Sequence, residues 1–183
     1  YSIYDRRLDL KPRGSYGTDP RLLIVCPNGF VDYKDSYSEE ELSKLAELVN
    51  SRAYQRSRSG NNEYYLLAKI LEHMGAGNLT TAWHYLSASW MAENRSNRSQ
   101  YDRYLNLAIN DLSEEKSERE IDFTPRFLLA ELNRLKGDFD AALLHLDDLE
   151  ANWHAEGYEL VLIEFEKGLI KDKNSKPMSQ PEG

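Results

Sequence analysis

The four histidines are the first candidates for chemistry in this 183-residue sequence, because neutral imidazole is both a zinc ligand and a general base. They are His73, His84, His145 and His154. None belongs to an HExxH motif, the helical arrangement of a zinc-dependent hydrolase. Glu150 and His154 are four residues apart near Asp147, a spacing more typical of a solvated helix pair than of a complete ligand set. The pattern predicts no metal ion and no other cofactor.

Cys26 is the only cysteine, so neither an intrachain disulfide nor a cysteine-based zinc site can form. A nucleophilic cysteine requires a base and an activating field, whereas the apolar neighbours Ile24 and Val25 favour a buried structural thiol. Gly75-Ala76-Gly77 follows a predicted helix rather than a strand and lacks the lysine of a phosphate-binding loop. Because no nucleophile, base and orienting group emerge together, we expect a protein that is not an enzyme.

Arginine and tyrosine are concentrated in the middle of the chain, where some of the tyrosines are expected to reach the surface. These two residue types are favoured in the hot spots of protein interfaces, and arginine binds the carboxylates of acidic partners. The alternative is a solvated helix end whose arginines complement the helix dipole. The predicted partner-binding residues are Arg52, Tyr54, Arg56, Arg58, Tyr64, Tyr85, Tyr101 and Tyr104.

Composition limits the class of partner. A net charge of −8 argues against a nucleic-acid binder, because phosphate contacts require an excess of lysine and arginine. No apolar run approaches the roughly 18 residues of a membrane span, so membrane insertion is not expected. A cytoplasmic location is favoured, and an exported location stays open because the chain begins at Tyr1 without a methionine. The sequence leaves the oligomeric state open.

Apolar residues recur with helical periodicity over most of the chain and predict an all-α fold of antiparallel helical hairpins. Ser38 and Glu41 form a capping-box pattern at the start of the first helix. Residues 1–37 are predicted to form an extended segment packed on the helices, residues 38–171 a helical repeat domain, and residues 172–183 a disordered tail. Seven helices are predicted, near residues 38–56, 61–74, 79–93, 99–118, 124–136, 138–151 and 158–171.

The segment from Arg126 to Ala151 is predicted to fold as a helical hairpin. Thr124 is placed as its N-cap with Pro125 in the first turn, and Gly137 is placed as the left-handed residue that ends the first helix. Its pattern Leu-Ala-Glu-Leu-x4-Gly-Asp-Phe-x2-Ala-x3-Leu, from Leu129 to Leu146, resembles a tetratricopeptide repeat. The resemblance covers residues 124–151 and implies stacked hairpins with a groove for a partner.

A second resemblance covers more of the chain. Leu23-Ile-Val-Cys-Pro-Asn-Gly-Phe30, followed by an acidic capped helix and repeat-like helices, is similar to the bacterial domain-of-unknown-function family 2225. That family carries a Val-x-Val-Cys-Pro-x-Cys-Gly-Tyr zinc knuckle ahead of tetratricopeptide-like helices. In this sequence the second cysteine of the knuckle is absent, so the resemblance implies a member whose zinc site has decayed. It implies no enzymatic activity.

These features together predict a non-catalytic protein-interaction module or scaffold that binds a partner helix or peptide in a groove between repeat helices. The alternative is a metal- or small-ligand-binding regulatory domain derived from the zinc-knuckle family.

Overall fold

Helices dominate the computed structural model, which describes residues 3–14, 23–114 and 122–181. The predicted all-α class is confirmed, with eight helices and four short strands in these ranges. In chain order the elements are β1 (Ile3–Arg6), β2 (Pro12–Gly14), β3 (Ile24–Val25), β4 (Val31–Asp32), α1 (Glu39–Asn50), α2 (Arg52–Arg58), α3 (Glu63–His73), α4 (Asn78–Asn94), α5 (Arg98–Glu114), α6 (Phe123–Lys136), α7 (Phe139–Asn152) and α8 (Tyr158–Lys171).

The chain divides into two units. The terminal unit comprises Tyr1–Asp19 with Lys116–Gly183, and the central unit comprises Pro20–Glu115. This division differs from the predicted boundaries at residues 37 and 171. Residues that are far apart in the sequence belong to the same unit, because the N-terminal strands fold together with the C-terminal helices. Residues 115–118 of the predicted fourth helix lie outside the described residues.

Ser51 explains why eight helices are described where seven are predicted. It has an extended backbone (φ −68°, ψ 142°) that ends α1, and its hydroxyl accepts a hydrogen bond from the backbone N–H of Tyr54 at 3.1 Å. Serine at this position satisfies one of the free N–H groups of a new helix. The segment predicted as one helix over residues 38–56 is therefore two helices, α1 and α2.

Helix caps account for the other boundaries. The capping box of α1 is confirmed, because Ser38 Oγ accepts from the Glu41 N–H at 3.2 Å and Glu41 Oε2 accepts from the Ser38 N–H at 2.9 Å. The predicted N-cap Thr124 is wrong, because Asp122 caps α6 by accepting from the Thr124 N–H at 3.2 Å. A carboxylate also favours the positive end of the helix dipole. Gly137 ends α6 with the predicted left-handed backbone, at φ 83°.

In the central unit α4 packs against both α3 and α5. Alanines buried in these helices let the backbones approach closely; they include Ala68, Ala88, Ala92 and Ala108. Asn62 joins two of the helices, because its side chain caps α3 through the Tyr65 N–H and donates to the backbone carbonyl of Ala88 at 2.9 Å. The core of this unit is therefore three antiparallel neighbours with polar links at their ends.

In the terminal unit Leu8 is fully buried in an apolar core formed with α6, α7 and α8. The C-terminal residues run beside the N-terminal ones: the Leu8 N–H donates to the Met178 carbonyl at 3.0 Å and the Gln180 N–H to the Arg6 carbonyl at 2.8 Å. The predicted disordered tail is therefore wrong for residues 172–181, and residues 182 and 183 lie outside the described residues. Of the N-terminal segment predicted to pack on the helices, Leu8 lies in the core formed with α6, α7 and α8.

The apolar residues before Cys26 form the hairpin strand β3. Ile24 pairs with Asp32 and Val25 with Val31 in an antiparallel register, because the turn after Cys26 reverses the chain. Ile24 is 71% exposed and Val25 is 41% exposed, whereas Val31 is fully buried. Cys26 is half-buried rather than buried.

Candidate functional site

The tyrosines expected to reach the surface are buried, so that expectation is wrong. The exposed fractions are 7% for Tyr64, 0% for Tyr85, 3% for Tyr101 and 0% for Tyr104, and Tyr54, also predicted to bind a partner, is 3% exposed. Tyr85 and Tyr104 both pack their rings against Tyr65, with centroids 5.9 and 5.5 Å apart. These side chains hold helices together and are not a contact surface for a partner.

A buried phenol needs a hydrogen-bond partner, and the partners of Tyr85, Tyr104 and Tyr54 lie inside the central unit. Tyr85 donates to Glu72, Tyr104 donates to Asn61 at 2.7 Å, and Tyr54 donates to the Gly29 carbonyl at 2.8 Å. Burial and the neighbouring Glu72 carboxylate raise the pKa of Tyr85, and burial raises the pKa of Tyr54 to about 12.

The predicted arginines separate onto two sides of α2. Arg52 and Arg56 are exposed, and their i, i+4 spacing puts them on one face. Arg58 is half-buried and lies four residues after Tyr54, on the side that faces the β3–β4 turn. In the described part of the chain none of the three forms an ion pair, whereas nearby lysines do: Lys34, in the loop before α1, with Glu41, Lys44 of α1 with Glu40, and Lys69 of α3 with Glu72.

Hydrogen bonds fix α2 against the turn of the β3–β4 hairpin. Besides the bond from Tyr54 to Gly29, Gln55 Nε2 donates to the Asn28 carbonyl at 2.7 Å and to the Val49 carbonyl at 2.6 Å. Gly29 has φ 91°, and a Cβ there would lie 2.8 Å from Arg58 Cδ. Helix and turn therefore form one rigid feature.

This feature carries exposed arginines on α2 and exposed apolar side chains on β3. We group Ile24, Val25, Arg52, Arg56 and Arg58 as the α2–hairpin surface, in which Arg52 and Arg56 share one face of α2 and Arg58 lies on the side of the turn. The tyrosines predicted to contact a partner are buried, whereas Ile24 and Val25 of β3 are exposed. A strand of two residues between turn formers is too short for its periodicity to show which side is buried, so its exposure is not readable from the sequence.

Other large apolar side chains are also exposed. In the central unit Leu42 of α1 is 51% exposed. In the terminal unit the exposed residues lie on α7 and α8; they are Leu143, Leu144, Tyr158, Leu160 and Val161. None of them is among the predicted contact residues, because an apolar residue on an amphipathic helix is most often core.

A buried charged cluster, which was not predicted from the sequence, lies in the terminal unit. Arg134 Nε donates to Glu131 Oε2 and to Glu166 Oε1, each at 2.8 Å, and all three side chains are fully buried. Arg134 Nη1 also donates to the backbone carbonyls of Asn174 and Lys176. The only sequence signal is the i, i+3 pair of Glu131 and Arg134 within an apolar stretch.

Two carboxyl groups share one guanidinium in this cluster. Burial and the charge of Glu166 raise the pKa of Glu131 well above its usual range, against the opposing effect of Arg134. Burial also raises the pKa of Glu166. Because no side chain of the cluster is exposed, a substrate cannot reach these groups. Their role is to join α6, α8 and the C-terminal residues.

The histidines do not converge. His84 stacks on Tyr64 at 6.3 Å between ring centroids, and burial lowers the pKa of His84 and of His145. Glu150 pairs with Lys167 at 2.6 Å rather than with His154, which is exposed. Within residues 3–14, 23–114 and 122–181 no group of three or more histidine, cysteine or acidic side chains is placed to hold a metal ion.

Two further findings concern the chain as a whole. No helix in the described ranges is long and apolar enough to cross a membrane. No family model, no curated protein and no solved structure matches this chain.

Proposed function

We propose that this chain is a non-catalytic protein-interaction module that binds a helix or extended segment of a partner at the α2–hairpin surface. The observation that carries the proposal is the pair Arg52 and Arg56, which are exposed on one face of α2 without an ion pair in the described residues. Three arginines and no acidic residue occur in this helix, in a chain of net charge −8.

Charge complementarity defines the partner. Guanidinium groups bind carboxylates in a planar, two-point geometry, so acidic side chains of the partner are expected opposite Arg52 and Arg56. Elsewhere the net negative charge of the chain repels an acidic partner, which directs it to this surface. Apolar residues of the partner would cover Ile24 and Val25, which are otherwise in water.

Rigidity supports the same proposal. The bonds from Tyr54 and Gln55 to the turn carbonyls hold α2 and the hairpin in one arrangement before a partner arrives. A preformed surface loses less conformational entropy on binding. The resemblance of residues 124–151 to a tetratricopeptide repeat, a repeat that binds peptides and helices, supports an interaction role as well.

A peptide-display selection on the immobilised wild-type chain tests the proposal. One class of enriched peptides should carry Asp or Glu next to Leu, Ile or Phe. Their affinity should fall at least tenfold for the variant Arg52→Glu/Arg56→Glu. The matched control is Lys136→Glu/Lys171→Glu, which changes the net charge equally at two exposed lysines of the terminal unit, and it should bind within twofold of wild type. Equal affinities for all three proteins would exclude the α2–hairpin surface.

A further inference from the structure

The outer face of α7 carries a stripe of exposed leucine and aspartate. Asp140, Leu143, Leu144 and Asp147 follow the spacing i, i+3, i+4, i+7, which places them on one face of a helix. All four are exposed, with Leu144 at 67% and Leu143 at 41%. We call these four residues the α7 stripe.

The leucines of the stripe are not needed for the core of the terminal unit. The core-facing residues of the same helix are Ala142, Leu146 and Leu149, and each is fully buried. Leu144 is two residues from Ala142 and Leu146, so it points away from the core by about half a turn. Packing within the terminal unit therefore leaves two adjacent leucines in water.

The stripe is electrically negative. α7 contains no lysine or arginine; Asp148 pairs with Arg126, and Glu150 pairs with Lys167. Asp140 and Asp147 form no ion pair in the described part of the chain, although Lys167 of α8 also lies within electrostatic range of Asp147. His145, on the same helix, is half-buried, and burial lowers its pKa. It therefore adds little positive charge at neutral pH.

We propose that the α7 stripe is a second docking surface, specific for a basic amphipathic helix of a partner protein. Apolar residues of that helix would cover Leu143 and Leu144, and its lysines or arginines would reach Asp140 and Asp147. The two aspartates are seven residues apart, about 10 Å along the axis. Basic residues seven apart on a helix packed along α7 have the same separation.

Other occupants fit the stripe less well. Its carboxylates repel phosphate groups, which argues against nucleic acid and anionic lipid. A second copy of the chain offers arginines on α2 and exposed Ile24 and Val25 on β3, but these apolar residues belong to a two-residue strand, so its arginines and apolar side chains do not form one amphipathic helix. A basic helix from another protein supplies both the charge and the apolar area. This surface is independent of the α2–hairpin surface.

The test uses a fluorescein-labelled helical peptide with leucines at i, i+3, i+4 and i+7 flanked by lysines, titrated with the full chain by anisotropy. Leu144→Ser and Asp140→Lys/Asp147→Lys should each weaken binding at least tenfold. Two controls should stay within twofold: Leu42→Ser, another exposed leucine, and Glu47→Lys/Glu156→Lys, two exposed acids elsewhere. Circular dichroism confirms that each variant is folded.

Three results would overturn the proposal. Equal affinity for a scrambled peptide of the same composition would show that binding is non-specific charge attraction. Equal loss of affinity in the stripe variants and the control variants would also show non-specific attraction. A concentration-dependent dimer in sedimentation that disappears in Leu144→Ser would assign the stripe to a second copy of the chain. Arg52→Glu/Arg56→Glu should not weaken binding of the basic peptide. A failure of the α7 proposal is therefore distinguishable from a failure of the α2–hairpin proposal.

Discussion

Arg134 Nε lies 2.8 Å from Glu166 Oε1, and both side chains are fully buried. The bond joins α6 to α8 across 32 residues of sequence. The same guanidinium binds Glu131 and the carbonyls of Asn174 and Lys176. One side chain thus connects two helices and the C-terminal residues, and its removal would leave two buried carboxyl groups without their positive partner.

The first prediction concerns Arg134→Met, which keeps the apolar stem and deletes the charge. We expect the free energy of unfolding to fall by about 3–5 kcal/mol, because breaking a buried ion pair leaves an uncompensated charge. Urea denaturation followed by circular dichroism measures the change. The matched control, Arg126→Met, removes a half-exposed partner of Asp148 and should cost less than about 1 kcal/mol. Similar losses in both variants would contradict the assigned role of the cluster.

The second prediction concerns pH. Since the folded-state pKa of Glu131 lies above its unfolded value of 4.5, the folded state retains a proton that the unfolded state releases. The contribution of Glu131 to the free energy of unfolding is therefore complete below about pH 4.5. It is lost as the pH rises through the folded-state pKa. Glu131→Gln keeps a neutral side chain and should reduce this slope. Unfolding free energies of both proteins from about pH 5 to pH 9 give the comparison.

Amide hydrogen exchange measures the same loss of stability with rising pH at individual residues. In the wild type the Gln180 amide, which donates to the Arg6 carbonyl, should lose protection at alkaline pH beyond the intrinsic acceleration of exchange. In Glu131→Gln it should lose less. Wild-type stability that is flat or increases over this range would contradict a raised pKa for Glu131.

The third prediction compares two glycines with positive φ. Gly29→Ala should destabilise the chain by about 2–3 kcal/mol, because alanine adds the cost of a left-handed backbone to a collision with Arg58 and Tyr54. Gly60→Ala, with φ 80° and open space around its Cβ, should cost only the backbone term of about 1–2 kcal/mol. Thermal and urea unfolding measure both. Equal costs would mean that the turn is not packed tightly on α2.

Local signals were enough to predict much of the fold. The capping box at Ser38, the left-handed Gly137 and the range of α8 from Tyr158 to Lys171 were all readable, because capping and helical periodicity act over a few residues. Ser51 was less readable, because a serine within a helical pattern is compatible with both an interruption and a continuous helix.

Contacts between distant residues could not be predicted. Whether Tyr85 and Tyr104 face water or a neighbouring helix depends on how α3, α4 and α5 are arranged, and tyrosine suits both environments. The tail reads as polar and unstructured, yet the carbonyls of Asn174 and Lys176 are held by Arg134, about forty residues earlier. For the same reason, the sequence suggested the arginines of α2 as candidate contact residues but did not show that Ile24 and Val25 are exposed.

The most direct test of the α2–hairpin surface is a charge exchange across the interface. A peptide selected on the wild type should lose at least tenfold in affinity, by isothermal titration calorimetry, for Arg52→Glu/Arg56→Glu. The same peptide with its acidic residues changed to lysine should bind that variant and not the wild type, because the ion pairs are restored in reverse. Unchanged binding of the original peptide to the variant, or no recovery with the lysine peptide, would contradict the account.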